Sequence, residues 1–151
     1  MKLAKSDIHL TVITAIRISL IALWAYTASM KLGNMERNLE SMHKQFFPAY
    51  VGNILAYLIP TVAAVCVVLL LYRPKIGLWL SAGLLGSFIL FITVAFADIF
   101  PGQTCSCAGI FPAMGYMFHL KFNAVMFVAA VTGLLLYNRK EIWESRKPVT
   151  E

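Results

Sequence analysis

Two cysteines separated by a single residue, Cys105-Ser-Cys107, are the side chains of this chain best suited to covalent chemistry. A bent or extended backbone at that spacing puts the two Cα atoms about 5–7 Å apart, overlapping the roughly 4.4–6.8 Å that a disulfide accepts. Closing so small a ring removes little entropy from the unfolded chain, so the bond is a poor staple, while its strain makes it exchangeable. The pair therefore points to thiol–disulfide exchange, set against the plainer reading of two reduced cysteines packed in an apolar loop. Gly109, Gly115 and the prolines at 101 and 112 suit a loop that dips back toward protein able to satisfy its backbone.

The same sulfurs are soft metal ligands. Cys105, Cys107, Met114, Met117 and His119 lie close in sequence, and thiolate with thioether is the set that selects Cu(I). No regular Cys-x-x-Cys or Met-x-x-Met spacing accompanies them, which leaves copper behind exchange, and a lone His119 at a helix start reads as a hydrogen-bonding residue. Cys66 stands apart, roughly 22 Å below the surface at which the pair lies, and packing is its expected role. Arg17 is the one charge deep inside an apolar run. Its position after Ile8 puts it roughly 14 Å from the nearer edge, where a charge normally faces the bundle interior. Asp98, at the far end of the third apolar run, does not match it in depth. The partners open to Arg17 are carbonyls loosened by Pro60, a hydroxyl such as Thr61 or Ser87, or a polar head group, with snorkelling to an edge as the alternative.

What must position these groups is a membrane bundle. The chain has 151 residues, 60% of them hydrophobic and 13% charged, with a mean hydropathy of +0.74. A soluble domain is nearer ~25% charged. Four apolar runs, 8–28, 51–72, 77–99 and 117–137, are each long enough to cross a hydrocarbon core of ~30 Å at ~1.5 Å per residue. The expected fold is all-α: a four-transmembrane-helix bundle forming a single integral membrane domain over 1–151. Arg17 interrupts the first run, which therefore reads as a retained helix and not a signal peptide. Between the first two runs, after Gly33 and Asn34, the residues Met35, Leu39, Met42 and Phe46 share one helical face, with Pro48 as the expected end. That segment reads as a short amphipathic helix, an interfacial anchor before a lid. The basic residues flank apolar segments and are not interleaved with aromatics, so nucleic acid is excluded as a partner and the bilayer is the first one.

Orientation follows from the same charges. Lys2, Lys5, Arg73, Lys75, Arg139, Lys140, Arg146 and Lys147 share one side, against Lys31, Arg37, Lys44 and Lys121 on the other. The positive-inside rule then puts both termini in the cytoplasm and the segments 29–50 and 100–116 outside. In a bacterial inner membrane that outer side is the oxidising periplasm, where a cysteine pair can cycle.

The Cys105-Ser-Cys107-Ala-Gly109 loop before a last helix, four spans, Arg17 through Met30-Lys31-Leu32 closing the first helix, and Leu58-Ile59-Pro60 in the second resemble the MauE/DoxX group of redox-associated membrane proteins, especially MauE-like members with a Cys-x-Cys-x-Gly motif. The resemblance covers nearly the whole chain. It implies support of disulfide-rich periplasmic proteins alongside thioredoxin-like partners, and, on the DoxX side, sulfur and quinone electron transfer. It carries over Cys105 and Cys107 as the redox pair, with Arg17 and Lys31 as polar pocket residues beside Asp98 and His119. It leaves room for a quinone. The acidic residue of the pattern after the second-helix proline is replaced here by Thr61-Val-Ala-Ala, so proton or quinone chemistry resting on it does not transfer. The rival to exchange is a non-enzymatic membrane subunit bracing a larger envelope complex.

The charge asymmetry makes a direct prediction. In a cysteine-free background, single cysteines at positions 40 and 103 will react with a membrane-impermeant maleimide in cells with a permeable outer membrane, and one at position 75 will not; the opposite pattern overturns the orientation.

Overall fold

A computed structural model describes the backbone of residues 2–44, 48–96 and 116–145, and side chains within 8–44, 48–94 and 117–139. These residues form five helices: α1 (Lys2–Gly33), α2 (Met35–His43), α3 (Ala49–Tyr72), α4 (Pro74–Phe96) and α5 (Tyr116–Ser145). Among them there is no strand. Four helices, all but α2, are long and apolar enough to cross a membrane, and the all-α expectation holds. The first and last helices outrun the expected 8–28 and 117–137 because their polar ends continue the helical turns beyond the apolar run. Expected residues 97–99 of the third span, and Phe46 of the amphipathic stripe, lie outside the described residues.

The long helices form a closed ring in which α1 packs on α3, α3 on α4, α4 on α5 and α5 on α1. Across the diagonal α1 meets α4 only briefly, and among the described residues α3 does not meet α5. The centre is apolar: Leu20 and Leu23 of α1, Leu70 of α3, Leu78 and Leu85 of α4, and Ala130 and Leu134 of α5 form one buried cluster. Outward, Ile18, Val68, Leu90, Val125 and Leu135 are exposed, an apolar exterior that fits lipid. The chain is a multi-pass membrane protein.

Arg73 alone separates α3 from α4. Its N–H donates to Leu69 O at 2.7 Å and its carbonyl accepts from Gly77 N at 3.0 Å, so the last bond of one helix and the first of the next share a residue. Pro74 opens α4, where its missing N–H costs nothing. The hairpin is this tight because position 77 is glycine. A Cβ there would lie 2.6 Å from Leu70 N and 2.8 Å from Leu70 Cα. Other small residues of α4 do less: Gly83 has nothing within 4 Å of a built Cβ, and Ser87 is exposed with its hydroxyl on Gly83 O. Gly133 sets the register at this end, with Ile16 Cγ2 of α1 at 3.1 Å and Leu78 Cδ2 of α4 at 3.3 Å from a built Cβ.

At the other end α2 lies on α3, and the reason is Pro60. A proline inside a helix cannot donate to the carbonyl four residues back, so the Ala56 carbonyl of α3 loses its intrahelical partner. In a bilayer-spanning helix such a group has to find another donor. Asn38 of α2 supplies it, with Nδ2 donating to Ala56 O at 2.8 Å in a site where both residues are buried. Lys31 Nζ of α1 donates to Asn38 Oδ1 at 3.0 Å, tying three helices through one amide. Further along α2, His43 Nε2 donates to Asn53 Oδ1 at 2.6 Å, and Gly52 lets the backbones close, since a Cβ there would meet Met42 O at 3.2 Å. The other face carries the exposed Lys44–Glu40 pair at 2.7 Å, and that ammonium holds the Glu40 carboxyl below its ordinary pKa. The helix is thus braced on protein by a polar contact as well as by Met42, which the apolar stripe alone did not indicate. Pro48, expected to end α2, instead precedes α3 and accepts from Val51 and Gly52 N–H.

The pairing of Pro60 with Asn38 is testable as a double-mutant cycle read by unfolding in detergent micelles. Asn38→Ala will cost about 1–3 kcal/mol in the parent, as an orphaned buried acceptor does. It will cost about 1 kcal/mol less in a Pro60→Ala background, where residue 60 regains an N–H for Ala56 O. Equal costs in both backgrounds contradict the pairing.

Candidate functional site

Arg17 sits on the inward side of α1 and reaches along it toward its own N-terminus, as long helical side chains do. Its Nε donates to Leu70 O at 3.2 Å, and its Nη2 donates to Leu70 O at 2.7 Å and to Leu71 O at 3.4 Å. These carbonyls belong to the last turn of α3, which has no following turn to satisfy them. A fixed cation at a helix C-terminus also meets the negative end of its dipole. Carbonyl ligation was one of the sequence-level options, but the carbonyls differ from those expected. The carbonyl freed by Pro60 is taken by Asn38, and the hydroxyls of Thr61 and Ser87 each bond the carbonyl four residues back, Tyr57 O at 2.7 Å and Gly83 O at 2.9 Å. Nor is the guanidinium at mid-depth: it lies at the level of the α3–α4 turn, because α1 continues past that hairpin.

Lys31 belongs to the opposite end of α1. Counting along the helix at 1.5 Å per residue puts it about 21 Å from Arg17, so the two do not line one pocket. Lys31 is half-buried and held by Asn38. His119 shares its end of the bundle. From the contact of Gly133 with Ile16 and Leu78, the same rise carries α5 back about 21 Å to His119, level with Met30 of α1 and Ile92 of α4. His119 is 6% exposed and Asn123, one turn further in, is 4% exposed. Asn123 Nδ2 donates to His119 O at 2.8 Å. The imidazole Nε2 of His119, by contrast, is buried and has no hydrogen-bond partner among the described residues.

Cys66 is buried where the sequence expected it, and its surroundings are more polar than expected. Ser81 of α4 shares a hydrogen bond with its sulfur and accepts from Trp24 Nε1 of α1 at 2.9 Å, with all three residues buried. Trp24 also meets Phe88 with ring centroids 6.3 Å apart. This contact ties α1, α3 and α4 at mid-bundle. From Ser81 to Phe96, where α4 passes into the segment with the cysteine pair, is about 22 Å of helix, so Cys66 is remote from that segment's start. Asp98, Cys105 and Cys107 lie outside the described residues; the chain around them leaves α4 at Phe96 and enters α5 at Tyr116, both at the α2 end. Among the described residues no three His, Cys, Asp or Glu side chains cluster as a metal site would require.

Asn38, Asn53, Asn123 and Ser81 escaped the sequence reading. Of these only Asn38 had a signal, since Pro60 guarantees an orphan at Ala56 and a donor must exist somewhere. The Arg17 contact yields a prediction on stability in detergent. Arg17→Leu will lower it by about 1.5–3 kcal/mol, the range for hydrogen bonds to a charged donor. Arg17→Lys will recover part of that, because one ammonium lacks the fork that spans two carbonyls. An Arg17→Leu protein as stable as the parent contradicts the assignment.

Among curated proteins none matches the chain, and neither does any solved structure. The profile of the family described as methylamine utilisation protein MauE matches residues 9–136, from the start of the first span to the end of the last. With four spanning helices in the matched region and the match covering most of its length, the chain belongs to the MauE family.

Proposed function

We propose that this protein is an inner-membrane thiol–disulfide exchanger, with both termini in the cytoplasm and Cys105 and Cys107 as its working pair on the periplasmic side. The observation that carries the reading is the position of the pair within a MauE-family chain: Cys105 and Cys107 flank the midpoint of the connection between α4 and α5, equally far in sequence from Phe96 and from Tyr116. The described helices support it as a scaffold. They are braced across the membrane by Arg17 at one end and by Lys31 and Asn38 at the other.

In the exchange, a thiolate of the pair attacks one sulfur of a disulfide in a thioredoxin-like partner. A mixed disulfide forms and the partner's second sulfur leaves as a thiolate. The neighbouring cysteine then attacks the mixed bond, so the pair ends oxidised and the partner ends as a dithiol; the reverse sequence oxidises the partner. Two electrons and two protons move in either direction. Because resolution needs both cysteines, removing one stops the reaction at the covalent intermediate.

Cys105→Ser or Cys107→Ser, whichever leaves the attacking sulfur, will therefore accumulate a reductant-sensitive complex with a periplasmic protein, visible as a higher-mass band. The double substitution will show no band and no function, and Cys66→Ala will behave as the parent. A fully active double mutant that still joins its complex overturns exchange in favour of the bracing subunit, and loss of bound copper without any mixed disulfide overturns it in favour of a metal site.

A further inference from the structure

We infer that the α3–α4 hairpin holds an anionic phospholipid, its phosphate on the guanidinium of Arg73 and one acyl chain along Ile76, Trp79 and Gly83 of α4.

The hairpin end presents a cation that the bundle does not use. Arg17 directs its donors to the carbonyls that end α3. Arg73, the one residue between the two helices, has its N–H and its carbonyl in backbone bonds. Its side chain is exposed and, among the described residues, neither hydrogen-bonded nor ion-paired. No described acid stands at this end to neutralise it, because the carboxylates with described side chains are Glu36 and Glu40, on α2 at the opposite end. A guanidinium takes a phosphate through two parallel N–H donors. At a membrane edge, the phosphate within reach is that of a lipid headgroup.

From Arg73 inward, the outer face of α4 is shaped for the rest of such a lipid. Ile76, Trp79, Gly83, Ser87 and Leu90 follow one another at three- and four-residue intervals and are all exposed, so they form one stripe running in from the hairpin. Trp79 is 61% exposed and lies about 8 Å from Pro74 by helix rise, the interfacial depth that an indole prefers. Tyr72, at the end of α3, is 78% exposed and marks the same border. Gly83 comes at about 14 Å, close to half of a ~30 Å hydrocarbon core. One leaflet therefore runs from Arg73 to about this glycine. A Cβ built on Gly83 meets no atom within 4 Å, so the missing side chain leaves a recess between Trp79 and Leu90 that the bundle does not fill. The charge and the recess are one leaflet apart, which is the separation of headgroup and chain end in a phospholipid. On the proposed topology this is the cytoplasmic leaflet, whose surface is anionic.

Arg139 of α5 is also exposed at this end. A diffuse attraction of the whole end for negative charge would draw on both arginines alike, whereas a site at the hairpin depends on Arg73.

Trp79 reports the occupant. Full-length protein carrying Trp143→Phe is placed in phosphatidylcholine vesicles with a minor fraction of brominated phosphatidylglycerol or, in a parallel set, brominated phosphatidylcholine, since bromine quenches only an indole close to it. Trp24 is 1% exposed and stays out of reach. The expected result is that phosphatidylglycerol occupies the site about fivefold more readily than phosphatidylcholine, the worth of one basic residue at an anionic surface. The preference will fall to about one in Arg73→Gln and persist in Arg73→Lys and in Arg139→Gln, and the quenching itself will vanish in Trp79→Phe. A parent without preference, a preference unchanged in Arg73→Gln, or an equal loss in Arg139→Gln overturns the assignment. So does a preference abolished by millimolar inorganic phosphate at constant ionic strength, which would make the ligand a free ion. None of these outcomes bears on the cysteine pair.

Discussion

A membrane interior offers no water to a backbone group that has lost its partner, and the architecture of the described helices follows from how two such places among them are repaired. One is the Ala56 carbonyl, stripped of its donor by Pro60. The other is the pair of carbonyls at the end of α3, which no further turn can satisfy. Each is met by a side chain from another helix, Asn38 in the first case and Arg17 in the second. Apolar packing between helices is no better than packing against lipid tails, so these directed contacts carry the specificity that the greasy surfaces cannot. They sit at opposite ends of the bundle and both involve α1, through Arg17 and through Lys31.

The two repairs have different consequences. At the hairpin end, Arg17 closes off polarity: the guanidinium is consumed by helix ends, and the bundle there is tight down to a glycine under a backbone. At the α2 end, polarity is left over. Asn38 draws Lys31 and α2 onto α3, while His119 of α5 is buried at the same end with a ring nitrogen that has no partner among the described residues. The chain's only close pair of cysteines lies, in sequence, between the two helices that finish and start at that end.

Much of the fold was legible because lipid imposes a length rule. Apolar runs of the right length gave four helices, and a 3.6-residue stripe gave α2. The site was legible only where chemistry is local in sequence: Cys105-Ser-Cys107 announces itself, and Arg17 announces itself by being the wrong residue for its surroundings. Its partners did not, because a side chain of that length can reach the carbonyls of a neighbouring helix, and which helix end lies there depends on how far each neighbour runs. Asn38 was hidden for a related reason. On a short amphipathic helix it reads as one more polar residue, and only the position of α3 turns it inward.

The account stands most directly on the contact between Asn38 and Ala56. Magic-angle-spinning NMR of the protein in bilayers, with the Asn38 side-chain nitrogen and the Ala56 carbonyl carbon labelled, will show a through-space dipolar coupling between them and a carbonyl shift typical of a hydrogen-bonded amide. An uncoupled pair, with the Ala56 carbonyl unchanged when Asn38 is replaced by alanine, would contradict it.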